Sequence, residues 1–144
     1  MKKVYVNEEW CLGCHLCEYY CAGMNSGERD LVKAFSREKK PLPRIRVEEG
    51  TDVNFAVQCR HCAVPYCVKG CITGALSVND GVIVCDQTRC VGCLTCVLSC
   101  PYGCIVRDEE AHVITKCDLC LSRNATPACV EGCPNKAIVL EDRE

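Results

Sequence analysis

The sequence predicts an α+β protein of short antiparallel strands and short helices arranged around cysteine groups. Three observations lead there. Eighteen cysteines stand in a chain of 144 residues. Sixteen of them fall into four groups of related spacing. Each group follows a short β-prone run and closes on a segment suited to a helical turn. Internal repetition of this kind has to be recognised before a fold is assigned.

The strands come first in each unit. VYV precedes the first group, NFAV the second, VIV the third and HVIT the fourth. The stretch ALSVNDGVIV reads as a hairpin, two β-branched runs around Asn79-Asp80-Gly81. IVRDEEAHVIT reads as a second one. Helical turns are expected in the three-residue segments before Cys21, Cys71, Cys100 and Cys133. Residues 22–58 break the repeat. This long insert carries Lys33, Arg37, Lys39, Lys40, Arg44 and Arg46 with Pro41 and Pro43 between them, and its end, RIRVEE, alternates like an exposed strand.

Composition limits what can hold such a chain together. With two Phe and one Trp, bulky side chains supply little core, and chains of this kind rely on disulfides or metals. The start, MKKVYVNEEW, has no apolar signal core and no twin arginine. No run approaches a membrane span. A cytoplasmic, reducing location is expected, which disfavours disulfides, although export together with a signal-bearing partner stays open. A formal net charge of -2 suggests no general affinity for nucleic acid or membrane.

The groups are Cys11, Cys14, Cys17, Cys21; Cys59, Cys62, Cys67, Cys71; Cys90, Cys93, Cys96, Cys100; and Cys117, Cys120, Cys129, Cys133. The first and third have the spacing C-x2-C-x2-C-x3-C. The others keep both ends and lengthen the middle gap. A tight C-x2-C-x2-C loop reaches three corners of a 4Fe-4S cube, and the fourth cysteine of the run serves the other cluster of a pair. The rival is a cysteine-rich structural zinc protein, yet zinc sites pair two C-x2-C knuckles and need no third cysteine so close. Cys11-Leu-Gly-Cys14-His15 also matches a haem attachment motif, but that leaves Cys17 and Cys21 without a role. No C-x3-C-x2-C run completes a radical-enzyme motif. His15 and His61 are expected as loop residues beside a cluster, where an N–H can bond sulfur or backbone, and His112 as structural or exposed. Cys104 aligns with Ala75 and Ala137, and Cys85 with Val6, so both are expected as packed thiols. No phosphate loop, dinucleotide fingerprint or acid–base pair suggests a catalytic site.

With four groups in this order, the chain resembles the four-cluster ferredoxin-like subunits of redox complexes. That family includes the iron–sulfur subunits of the dimethyl sulfoxide reductase type and the small electron-transfer subunits of formate hydrogenlyase and hydrogenases. It also includes the iron–sulfur partners of carbon monoxide dehydrogenase and of tungsten aldehyde oxidoreductases. The resemblance implies two bacterial-ferredoxin-like halves, residues 1–30 plus 112–144 and residues 53–111, joined by the basic insert 31–52. It implies four 4Fe-4S clusters with crossed ligands. One would take Cys11, Cys14, Cys17 and Cys133; a second Cys117, Cys120, Cys129 and Cys21. A third would take Cys59, Cys62, Cys67 and Cys100; the fourth Cys90, Cys93, Cys96 and Cys71. The implied role is electron relay in a hetero-oligomer, between a catalytic oxidoreductase subunit and a ferredoxin or flavoprotein-type carrier. Against the negative charge of such clusters, the basic insert has two readings: a docking contact for an acidic partner, or a solvated loop balancing internal charge.

Overall fold

The computed structural model describes residues 2–28, 30–124 and 126–143. Among them, strands pair in antiparallel twos: β1 (Lys3–Val6) with β8 (Ile138–Glu141), β2 (Arg46–Glu49) with β3 (Asn54–Val57), β4 (Leu76–Asn79) with β5 (Val82–Cys85), and β6 (Val106–Asp108) with β7 (Val113–Thr115). The helices are α1 (Leu16–Asn25), α2 (Leu31–Phe35), α3 (Tyr66–Lys69), α4 (Thr95–Ser99) and α5 (Ala128–Gly132), with a 3₁₀ turn at Leu121–Arg123. The architecture is α+β, as the sequence indicates.

Local chemistry explains the hairpins. Asp80 and Gly81 link β4 to β5 with φ of 49° and 81°, the two positive values of a type I′ turn. Between β6 and β7, Asp108 Oδ1 accepts the N–H groups of Glu110 and Ala111 at 3.1 and 3.2 Å, an Asx-type turn. Helix α2, not foreseen from sequence, begins at Asp30, whose Oδ1 accepts the Val32 N–H at 2.9 Å, a favoured N-cap.

Two cores result. Val4, Ile45, Val47, Ala56 and Ile138 pack with Cys17, Cys21 and Cys129. Leu76, Ile83, Ile105 and Ile114 pack with Cys96. Helix α1 lies on α5, where the absence of a side chain at Gly132 is required: a Cβ there would meet the Tyr20 ring at 2.3 Å. Backbone and side chain tie the cores together. Gln58 Nε2 donates to the Val4 carbonyl at 2.7 Å, and Lys3 Nζ to the His61 carbonyl at 2.8 Å.

The cations of the basic insert are mostly exposed, yet most of them are engaged by other groups of the chain. Lys39 pairs with Asp108 at 3.0 Å and Glu110 at 3.4 Å, Arg44 with Asp118 at 3.5 Å, Arg37 with Glu28 at 3.6 Å and Arg46 with Glu48 at 2.5 Å. Lys40 donates to the Phe35 carbonyl. Four of the six cations, Arg37, Lys39, Arg44 and Arg46, meet the protein's own acids, which favours charge balance over docking for those four. Residue 112 lies inside the β6–β7 hairpin, and β2 of the insert pairs with β3.

Candidate metal centre

Each C-x2-C loop turns through the same backbone conformation. The residue before the second cysteine has positive φ in all four groups: Gly13 at 68°, His61 at 46°, Gly92 at 72° and Leu119 at 57°. Left-handed residues within such turns make successive N–H groups converge on one point, a concavity suited to an anion. Two of these turns direct a donor at a sulfur, and the insert supplies a third. Arg44 N–H reaches Cys21 Sγ at 3.2 Å, Leu119 N–H reaches Cys117 Sγ at 3.4 Å and His61 N–H reaches Cys59 Sγ at 3.5 Å, the first from the insert and the others from within their own loops. The repeat read in the cysteines is therefore also a repeat in φ. At Gly92 the conformation is reinforced by contact, since a Cβ would meet the His112 carbonyl oxygen at 2.3 Å.

Cysteines from different groups share cavities. Cys11, Cys14, Cys17 and Cys133 line one cavity with Val47 and Ile138 behind them. Cys59, Cys62, Cys67 and Cys100 line another, with Cys104, Ile83 and Lys116 also in its wall. Electrostatic reach relates the remaining thiols: Cys117, Cys21 and Cys120 act on Cys129, and Cys71 acts on Cys93. Cys17 lies within reach of Cys129, and Cys117 within reach of Cys59. The thiols of different groups thus lie within electrostatic range of one another.

Burial governs their acidity. It pushes the Cys117 thiol up to about 12. Burial, then the Glu18 carboxylate, take Cys17 to about 12. Cys129 is raised by burial and by the thiols around it. Cys93 moves the other way, lowered by the Thr95 hydroxyl and N–H. Buried sulfurs of this kind become thiolates when a metal supplies the compensating positive charge. Among the described residues, no three His, Cys, Asp or Glu side chains converge on a point suited to a single metal ion. Sets of four around a cavity, with N–H donors aimed at sulfur, fit a polynuclear iron–sulfur group.

The cysteines outside the groups behave differently. Cys104 is buried and its thiol donates to the Gln58 carbonyl at 3.0 Å. Burial, then Cys100 and Cys59, raise it to about 12. Cys85 ends β5 and is raised to about 11 by burial, then by Cys90 and Cys96.

The histidines take distinct roles. His15, at the start of α1, bonds Glu18 at 2.9 Å and Glu49 at 2.5 Å through its two ring nitrogens. With a carboxylate accepting at each side, the ring holds two protons, and its pKa is raised by Glu49 and then Glu18. His61 is fully buried; its Nδ1 accepts the Ile83 N–H at 3.0 Å. The proton therefore sits on Nε2, which is buried without a protein partner. Burial, with Lys116 and Lys3, lowers its pKa to about 3, so the ring is neutral. An orphaned donor between Cys59 and Cys62 is suited to an anionic acceptor. Sequence reasoning placed both histidines in cluster loops but could not show the ion pairs of His15 or the buried donor of His61. It missed Lys116, which directly precedes Cys117 and is buried.

Comparison with known proteins adds the family context. Residues 52–143 match the model of the 4Fe-4S dicluster domain. An iron–sulfur protein of Rhodospirillum rubrum is 37% identical over 96% of this chain and 81% of its own length. The electron transport protein HydN of Escherichia coli is 36% identical over 92% of this chain and 83% of its own length. Among solved structures, the active site complex BamBC of benzoyl coenzyme A reductase contains a chain of similar fold, with a TM-score of 0.53, 19% identity, and coverage of 99% of this chain and 80% of that one.

Proposed function

The chain belongs to the 4Fe-4S dicluster domain family, and from that premise we propose that it carries four 4Fe-4S clusters and relays electrons between two partners. That it is an iron–sulfur electron-transfer protein without a catalytic site of its own follows from its relatives. The clusters would be held by the crossed sets Cys11, Cys14, Cys17 and Cys133; Cys117, Cys120, Cys129 and Cys21; Cys59, Cys62, Cys67 and Cys100; and Cys90, Cys93, Cys96 and Cys71. The observation that carries this reading is the pair of cavities in which three cysteines of one group meet the last cysteine of another, Cys133 in one and Cys100 in the other.

When bound, each cluster would supply a site for one electron. The chain's own part is to hold the thiolates, aim N–H donors at sulfur and keep the sites adjacent. The electrostatic influence of Cys17 on Cys129 and of Cys59 on Cys117 supports neighbouring sites along a row. One end of the row would face a catalytic oxidoreductase subunit, such as a tungsten aldehyde oxidoreductase, carbon monoxide dehydrogenase, formate dehydrogenase or hydrogenase. The other would face a ferredoxin or flavoprotein carrier, in a cytoplasmic hetero-oligomer. No helix among the described residues is long and apolar enough to cross a membrane.

Iron and acid-labile sulfide analysis of anaerobically purified protein tests the count, with about sixteen irons per chain expected. Eight irons with two zincs would refute it. Cys21→Ser should perturb the cluster of Cys117, Cys120 and Cys129 more than that of Cys11, Cys14 and Cys17, and Cys133→Ser the reverse. Each consecutive group holding its own cluster would overturn the crossed assignment.

A further inference from the structure

Lys116 is 3% exposed. Its ammonium donates to the carbonyls of Ile83 at 2.5 Å and Cys117 at 2.6 Å. Among the described residues no carboxylate lies within ion-pair distance of it. A buried cation without a counter-ion is strongly disfavoured, and chains keep one only when an anion lies close by. The nearest candidates are sulfurs. Lys116 lines the cavity of Cys59, Cys62, Cys67 and Cys100. Its charge acts on Cys67 in that set, on Cys117 in the next, and on Cys85.

We propose that the Lys116 ammonium is the shared counter-charge of the two inner cluster sites, those of Cys59, Cys62, Cys67, Cys100 and of Cys117, Cys120, Cys129, Cys21, and raises their reduction potentials. This rests on the four-cluster reading above. The logic is Coulombic. Four thiolates make each site anionic, and adding one electron makes it more so. A fixed positive charge within a few ångströms favours the added electron, and low dielectric preserves the effect. The cation stands between the inner sites, so it favours electron occupancy in the middle of the row. Lys116 is buried, so its role is to tune the cluster sites rather than to meet a partner at the surface.

The test is an EPR-monitored potentiometric titration of the holoprotein, with iron content measured in parallel. Three variants are compared with wild type: Lys116→Met, Lys116→Gln and Lys116→Arg, with exposed Lys33→Gln as control. Removing the charge should weaken electron affinity at the inner sites on the order of tenfold, a fall of about 59 mV for a one-electron couple. Lys116→Arg and Lys33→Gln should titrate near wild type. Unchanged potentials in the neutral variants overturn the proposal. Should both neutral variants lose iron while Lys116→Arg keeps it, the charge is required for assembly and the counter-charge role stands. Loss of iron in all three assigns Lys116 to packing and overturns the role. Wild-type protein lacking four clusters would instead overturn the underlying reading.

Discussion

Gly92→Ala should cost far more than its single methyl group suggests, and the structure indicates by how much. Gly92 has φ of 72°, and its missing Cβ would stand 2.3 Å from the His112 carbonyl oxygen. Real Cβ contacts essentially never fall below 3.0 Å, so the Cys90–Cys93 loop and the β6–β7 hairpin must separate by at least about 0.7 Å. A left-handed alanine costs about 1–2 kcal/mol, and forced shifts in a packed region a further ~1–3 kcal/mol. The obstruction is backbone, which cannot rotate away. Gly27→Ala isolates the first contribution, because Gly27 has φ of 81° and open space around its missing Cβ. Anaerobic denaturant titrations, followed by loss of visible absorbance and by iron per chain, should show Gly92→Ala weaker than Gly27→Ala by about 1–3 kcal/mol. An iron deficit should accompany Gly92→Ala alone. Equal midpoints and equal iron for the two variants would refute the backbone-clash argument.

Other outcomes follow from single side chains. Cys104→Ala should keep full iron but lose about 1 kcal/mol, because the Gln58 carbonyl loses its donor; Cys104→Ser should recover part of it, and loss of a cluster would show Cys104 to be a ligand. His15→Gln should destabilise most at low pH: the pKa of His15 is raised in the fold, so its contribution is complete below the unfolded value near 6.5 and fades as pH rises through the folded value. Melting curves from pH 6 to 9 should therefore converge, and a gap that widens with pH would contradict the double ion pair. Lys39→Ser should leave the salt dependence of electron transfer to a partner unchanged, since Lys39 is engaged by Asp108 and Glu110; a flattened dependence would restore the docking role.

What the sequence revealed, and what it concealed, divides by range. The Asp80-Gly81 turn, the short strands before the cysteines and the helices closing each group are written in neighbouring residues, and they were legible. Pairings across long separations were not. Lys39 and Asp108 lie 69 positions apart, and nothing in RDLVKAFSREKK indicates that its cations face acids from a distant hairpin. Helix α2 spans five residues, too few for a periodic pattern to emerge. Lys116 looks like an ordinary charge flanking a cysteine; its burial depends on Ile83 and on loops from both cores. The ligand residue types were readable because metal spacing is local chemistry. The environment that tunes them is assembled from distant segments.

The pairing of β1 with β8 imposes an order of construction. Val6 stands opposite Ile138 and Val4 opposite Leu140, so this sheet closes only after every residue between its two strands has been made. Translation proceeds at about 5–20 residues per second, so β1 and the four cysteines that follow it wait on the order of 10 s for their partner strand. The β4–β5 and β6–β7 hairpins need no such delay, because each partner emerges within moments of the other. The centre of the molecule can thus mature while its earliest segment remains open. Cys11, Cys14, Cys17 and Cys21, directly after β1, therefore wait longer for the strand that completes their sheet than the cysteines beside either hairpin wait for theirs.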